Sequence, residues 1–96
     1  MLYALICSDN PESLDIRQAN RPAHLAWLEG LGAAVRAAGP FVDADGRPSG
    51  SLIILEAPDL AAAKQIAAAD PYATAGLFAR VEVRAWNWLI NNPQAE

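Results

Sequence analysis

The sequence contains few of the side chains that bind metals or cross-link chains. Its single cysteine, Cys7, cannot form an internal disulfide. With only one histidine besides it, the chain offers no Cys/His cluster from which a structural zinc site could be built. We therefore expect Cys7 to be a small buried hydrophobic residue, and we expect neither a metal nor a cofactor.

Basic residues are also scarce, and no apolar run is long. Seven Lys and Arg residues stand against eleven Asp and Glu residues, which leaves a net charge of −4 and no basic field to attract nucleic-acid phosphates. No apolar run approaches the ~20 residues that span a bilayer, and no basic region precedes the short apolar stretch at the N-terminus. These features predict a cytoplasmic protein that binds neither nucleic acid nor membranes.

The chain is short and apolar. Its 96 residues are expected to form one domain, with a core over about residues 2–88 and a frayed tail at 91–96. A domain of this size buries only about 60 to 65% of its unfolded surface, so its stability alone is marginal. With 53% hydrophobic and 19% charged residues, the chain is more apolar than an isolated small domain requires. We expect it to associate with a partner.

Turn-forming residues divide the chain into strands and helices. Pro22 cannot donate an interior helical bond, so a break is expected near Asn20-Arg21, and Gly39-Pro40 is expected to end the main helix. Asp45-Gly46 is typical of a tight hairpin turn. The predicted strands are residues 2–8, 41–43, 49–56 and 77–86, and the predicted helices are a short one from Pro11, a main one over 22–38 and a third over 60–69.

Aspartate and asparagine residues are expected at both starts and ends of helices. Asp9 or Asn10 is expected to cap the first helix, and Asp59 the helix that begins at residue 60. Asp70 precedes a proline, which biases its backbone away from helical geometry. A turn is therefore expected to begin at Asp70.

The order of these elements predicts an α+β fold of the ferredoxin-like βαββαβ type, an antiparallel sheet with two helices on one face. The centre of the third strand, residues 52–55, has no polar alternation, which in an antiparallel sheet indicates that both faces are covered. The helices cover only one face. We therefore predict a homodimer, sheet face to sheet face, that forms a dimeric α+β barrel.

The only histidine falls on an apolar face of the predicted main helix. A buried imidazole needs a hydrogen-bond partner, and it titrates near physiological pH. One interpretation is a core histidine bonded to a backbone carbonyl; the other is a general acid/base oriented by Asp70, which leaves the end of a neighbouring helix. Spacing alone leaves both open, because it does not give the helix register. The apolar stripe comprises His24, Leu28, Leu31, Val35 and Ala38.

Other polar residues near these two are candidates for binding a substrate. Arg17 and Arg21 could present guanidinium groups to a carboxylate or an enolate, or they could form a solvated helix edge. Ser51 could bond a ligand oxygen but has no neighbouring base, so polar lining is its expected role. Tyr72 could wall a pocket and offer its hydroxyl, or pack under the turn.

Five short segments, taken in order along the chain, resemble one known family. They are Arg21-Pro22-Ala23-His24-Leu25, Ala38-Gly39-Pro40, Gly50-Ser51-Leu52-Ile53, Ala69-Asp70-Pro71-Tyr72 and Ala75-Gly76-Leu77-Phe78. Together they resemble the YciI-like, or YCII-related, family over about residues 2–86. The resemblance implies a dimeric, ferredoxin-like domain whose proposed active-site histidine and aspartate correspond to His24 and Asp70. One branch is similar to enzymes that eliminate chloride from hydroxylated chloroaromatics, and other members are small domains near transcriptional regulators.

These observations lead to one main functional hypothesis and two alternatives. The main hypothesis is a cofactor-independent small-molecule enzyme, of the lyase (dehydrochlorinase) or isomerase type, in which His24 and Asp70 move a proton on a carbonyl or phenol-like substrate. The first alternative is a non-catalytic metabolite-binding or regulatory module that uses the same pocket. The second is a haem-binding barrel with His24 as axial ligand, which no further motif supports.

Overall fold

Four antiparallel strands form one sheet in the computed structural model, which describes residues 1–94. Across the sheet, the second strand of the chain lies at one edge, followed by the third, the first and the fourth, and helices follow the first and third strands. The ferredoxin-like prediction is therefore confirmed. The predicted frayed tail extends to residues 95 and 96, which lie outside the described part. The strands are β1 (Leu2–Asp9), β2 (Val35–Val42), β3 (Pro48–Glu56) and β4 (Phe78–Trp86), and the helices are α1 (Leu14–Leu31), α2 (Leu60–Ala68) and α3 (Pro71–Thr74).

The core lies between the two central strands and the helices. Tyr3 and Leu5 of β1 pair with Leu55 and Ile53 of β3, and these four side chains point to the same face because directly opposed strand residues do so. Two alanines of α2, Ala63 and Ala67, complete the cluster, together with partly buried residues of α1. Small side chains on α2 let this helix lie close to the sheet. None of the helices in residues 1–94 is long and apolar enough to cross a membrane.

Helix α1 passes through Pro22 without interruption, so the predicted break near Asn20-Arg21 is wrong. A proline removes only one interior N–H, and the hydrogen bonds on either side of it can continue the helix. The helix is also held by tertiary packing, since His24 is buried and Trp27 contacts the core cluster. Packing of the apolar face therefore outweighs the local cost of the proline.

Helix α1 ends earlier than predicted, and β2 begins earlier. Gly32 follows the helix with φ 59°, a conformation that favours glycine, and the chain continues through one short 3-10 turn into β2. The predicted helix end at Gly39-Pro40 is therefore wrong, and Val35 and Ala38 belong to a strand. Pro40 is tolerated there because β2 is an edge strand. Of the predicted stripe, only His24, Leu28 and Leu31 lie on α1.

The turns confirm several local predictions. Gly46 has φ 79° in the β2–β3 hairpin, and the side chain of Asp43 closes this turn by accepting the amide hydrogens of Asp45 and Arg47. Asp59 caps α2 by accepting the amide hydrogen of Ala62 at 2.8 Å. The hairpin turn and the start of α2 thus each use an aspartate side chain to accept backbone amide hydrogens.

The predicted capping of the first helix is wrong. Its N-cap is Ser13, whose side chain makes no capping hydrogen bond. The side chain of Asn10 instead donates to the carbonyl of Gly76, 66 positions along the chain, and Asp9 binds Arg17. Both side chains therefore form tertiary contacts, which compete with local capping and are not visible in the spacing.

Candidate functional site

His24 and Asp70 are brought together by the packing of α1 against the turn between α2 and α3. The His24 Nδ1 lies 2.8 Å from the Asp70 Oδ1, and the residues are 7% and 1% exposed. Asp70 is also the N-cap of α3, and its Oδ1 accepts the amide hydrogen of Tyr72 at 2.9 Å. The amide of the Asp-Pro turn and the imidazole thus both bind the same carboxylate oxygen.

The hydrogen bond determines how the imidazole is protonated. A carboxylate accepts hydrogen bonds, so Nδ1 carries a proton and Nε2 presents its lone pair. Within residues 1–94, Nε2 makes no hydrogen bond, and the Asp70 Oδ2 is buried without a partner. With one oxygen unbonded, the charge of Asp70 is balanced mainly by the His24 N–H and the Tyr72 amide. This arrangement leaves the lone pair of Nε2 available to accept a proton from a ligand.

Tyr72 is buried against His24. Its ring stacks on the imidazole with the two centroids 4.0 Å apart and the planes 15° from parallel. The Arg17 Cζ lies 4.6 Å from the centre of the same tyrosine ring. Because His24 covers one face, this guanidinium occupies the other. Burial raises the pKa of the Tyr72 phenol, although the charges of Arg17 and Arg21 act in the opposite direction, so the phenol stays protonated and can donate a hydrogen bond.

Arg17 is fully engaged with the protein. Its Nε and Nη2 donate to both oxygens of Asp9, at 2.7 Å and 2.9 Å, and Nη2 also donates to the Ser51 hydroxyl at 3.0 Å. Burial disfavours the charge, but the hydrogen bond and the charge of Asp9 prevail and raise the pKa of Arg17. The guanidinium is thus held permanently charged beneath Tyr72, rather than as the free fork that the spacing suggested.

A cavity of about 640 Å³ opens between α1 and the β2–β3 hairpin. Five of the six predicted site residues line it, and the sixth, Asp70, binds the lining residue His24. A volume of this size suits a small organic molecule. The lining residues are Leu14, Arg17, Gln18, Arg21, His24, Leu25, Leu28, Ala38, Gly39, Pro40, Gly46, Arg47, Pro48, Ser51, Ile53 and Tyr72.

The sequence as a whole matches a known family. The model of the YCII-related domain covers residues 1–87. The chain belongs to the YCII-related family. Protein YciI of Escherichia coli O6:H1 is 39% identical over 92 residues, which cover 88% of this chain and 94% of the relative. An uncharacterized protein of Haemophilus influenzae is 42% identical over 93 residues, with the same coverage of each chain.

Solved structures resemble the YCII-related chain either in both sequence and fold or in fold alone. A 5-chloro-2-hydroxyhydroquinone dehydrochlorinase from Burkholderia phenoliruptrix AC1100, in complex with 2,5-dihydroxybenzoquinone, superposes with a TM-score of 0.86 and 37% identity, covering 91% of this chain and 94% of that one. An antibiotic biosynthesis monooxygenase superposes with a TM-score of 0.56 and 20% identity, covering 93% and 99%. The second likeness shows a common fold alone.

Sequence reasoning about this YCII-related chain missed two residues at the site. Asp9 was assigned to a helix cap, although its opposite charge and its position at a strand end, one short loop before Arg17, are the signals that could have paired them. Arg47 lines the cavity from the hairpin, and no local pattern predicted this. Cys7 is buried as expected; burial, with the nearby charges of Asp70 and Asp9, raises its pKa to about 12. A thiol in this state is a poor nucleophile.

Proposed function

We propose that the cavity is the active site of a small, cofactor-independent enzyme that transfers a proton on a hydroxylated or carbonyl ring substrate, in a reaction of the lyase or isomerase type. The observation that carries this proposal is the 2.8 Å contact between His24 Nδ1 and Asp70 Oδ1 in the wall of the cavity. The likeness to a dehydrochlorinase at 37% identity supports the substrate class.

His24 is the general base and then the general acid. Its Nε2 removes a proton from a substrate O–H or C–H, and Asp70 stabilises the resulting imidazolium through Nδ1–H. In an elimination, the electron pair released when Nε2 takes the proton expels the leaving group as an anion, and the proton on Nε2 then passes to the solvent. In an isomerisation, Nε2 returns the proton to another substrate atom. Each route conserves protons and electrons without a further reagent.

Tyr72 is suited to stabilise the charge that develops on the substrate oxygen. It lines the cavity with His24. A protonated phenol can donate a hydrogen bond to an oxyanion. This donor acts in a site whose walls are mainly apolar, where electrostatic interactions are stronger than in water.

The test is turnover by matched aspartate and histidine variants. Chloride release from 5-chloro-2-hydroxyhydroquinone and deuterium incorporation into ring ketones are measured for the wild type, His24→Ala and Asp70→Asn. We expect His24→Ala to lower turnover by about 10²- to 10⁴-fold. Asp70→Asn keeps the base but loses the carboxylate that orients it, so a loss of at least about 10²-fold is expected.

Asp59→Asn is the matched control, because Asp59 is also a helix N-cap but does not line the cavity. It should retain wild-type turnover. Full turnover by folded His24→Ala would refute the proposal. Recovery of every bound compound unchanged by the wild type would instead support the metabolite-binding alternative.

We further propose that the protein acts as a homodimer, with sheet faces in contact. The face opposite the helices presents Ile6 and Leu52, which pair directly and are only half-buried. Trp86 on the same face is 38% exposed. Burying this apolar strip would offset the small core of a short chain. The cavity lies in the other layer and is compatible with this contact.

A further inference from the structure

Among residues 1–94, the charged residues that line the cavity are all basic. They are Arg17, Arg21 and Arg47, and no aspartate or glutamate of this described part lines it. This is unusual for a chain of net charge −4. A concave, positively charged surface with mostly apolar walls concentrates small anions.

Two of these arginines have no acidic partner in the described chain, so their charge is available to a ligand. The charge of Arg17 is balanced by Asp9. Arg21 and Arg47 are exposed and form no ion pair anywhere in the described chain. One comes from α1 and the other from the β2–β3 hairpin, so they border the cavity from two different elements.

The acidic residues that share a second cavity with Arg47 do not line the cavity of His24. Asp9, Glu12 and Asp43 line a neighbouring cavity of about 380 Å³ that Arg47 also borders. Asp9 binds Arg17 through both oxygens, and the Oδ1 of Asp43 accepts two amide hydrogens of its own turn. Glu12 is the one of these three without such a bond in the described chain, and it lines the neighbouring cavity but not the cavity of His24.

We propose that the substrate carries a carboxylate in addition to its reactive position, and that Arg21 and Arg47 bind this carboxylate at the mouth of the cavity. Guanidinium groups match carboxylates in charge and geometry. The apolar walls then receive the ring, and the ring's reactive atom lies toward His24. The inference rests on the proposed function of the same cavity, which it narrows to ring compounds with a fixed negative charge.

The test compares two ring compounds that differ only in charge. Binding of 2,5-dihydroxybenzoate and of its neutral isostere 2,5-dihydroxybenzamide is measured by isothermal titration calorimetry. We expect the acid to bind about tenfold more tightly, because each exposed arginine contributes roughly two- to fivefold. This preference should shrink when sodium chloride is raised from about 0.02 M to about 0.2 M.

Charge-removing variants identify the groups responsible. Arg21→Gln with Arg47→Gln should bring the two affinities within about twofold, and each single variant should give an intermediate preference. Lys64→Gln, which removes an exposed charge on α2 away from the cavity, should leave the preference unchanged. Circular dichroism checks that each variant is folded.

Three results would overturn the inference: equal binding of acid and amide to the wild type, an undiminished preference in the double variant, or no binding of either compound at millimolar concentration. The measurement needs no turnover. Equal binding of acid and amide together with an inactive His24→Ala variant would refute carboxylate binding by Arg21 and Arg47 but support the proposed function. A preference for the acid together with a fully active His24→Ala variant would refute the proposed function but support carboxylate binding by the two arginines.

Discussion

The Arg17 guanidinium binds both carboxylate oxygens of Asp9 and lies 4.6 Å from the centre of the Tyr72 ring, whose other face stacks on His24. The imidazole is therefore held from two directions. Asp70 fixes Nδ1 by a hydrogen bond, and the Asp9–Arg17 pair supports the tyrosine ring against which the imidazole lies. We propose that Arg17 acts through Tyr72, as a positioning residue.

We predict that Asp9→Asn destabilises the fold strongly. The side chains of Asp9 and Arg17 are each 7% exposed, and removing one partner leaves a buried charge uncompensated. The expected loss is about 2–4 kcal/mol in the free energy of unfolding. Urea denaturation followed by circular dichroism measures it.

Glu56→Gln provides the control for this loss. Glu56 pairs with Arg36 at the surface, where its side chain is 50% exposed. An exposed ion pair contributes at most about 1 kcal/mol. Equal losses in the two variants would mean that burial of the Asp9–Arg17 pair has no energetic consequence, which contradicts the prediction.

We predict that the hydroxyl and the ring of Tyr72 have separable effects. Tyr72→Phe keeps the stacked ring but loses the donor to an oxyanion, so turnover should fall by up to about 10²-fold with little change in stability. Tyr72→Leu also removes the stack on His24, so turnover should fall further and the fold should be destabilised by about 1–3 kcal/mol. Equal turnover and equal stability of the two variants would show that the ring has no role beyond its hydroxyl.

Much of the fold could be predicted because it depends on short-range signals. The Asp45-Gly46 hairpin and the Asp59 cap each involve residues at most four positions apart, and the structure has both. The end of α1 could not be predicted in this way. The stretch from Val35 to Ala38 is apolar at spacings that fit both a helix and a strand, and only pairing with β3 decides between them.

The residues of the site could likewise be predicted only in part from the sequence. His24 was conspicuous because a lone titratable residue fell on an apolar stripe, and Asp70 because it preceded a proline. Their separation of 46 positions gave no geometric information, so the pairing depended on family resemblance. Asp9 and Arg17 are only eight positions apart, but a strand end, a loop and a helix start lie between them, and sequence periodicity does not describe such a connection.

We predict a loss of stability at alkaline pH that depends on Cys7. Burial raises its pKa from 9.0 to about 12, so below pH 9 the thiol is protonated in both the folded and unfolded states. Between these values only the unfolded state releases the proton, and the folded state therefore loses up to about 1.4 kcal/mol per pH unit.

Urea denaturation of the wild type and Cys7→Ala at pH 8 and pH 10.5 measures this effect, because other titrating groups cancel in the difference. The stability advantage of the wild type should shrink as the pH rises. A constant difference would contradict a raised pKa. At pH 8, an added disulfide reagent should also modify Cys7 in the unfolded chain but not in the folded one.

We predict that Leu52→Lys yields a folded monomer. Leu52 lies on the sheet face opposite the helices, beside Ile6, and a lysine there would place an uncompensated charge in the proposed dimer contact. Sedimentation velocity at micromolar concentration should find the wild type as a dimer and this variant as a monomer. Leu60→Lys, which changes a residue 41% exposed in the helical layer, should remain dimeric. A monomeric wild type would contradict the proposed sheet-to-sheet contact.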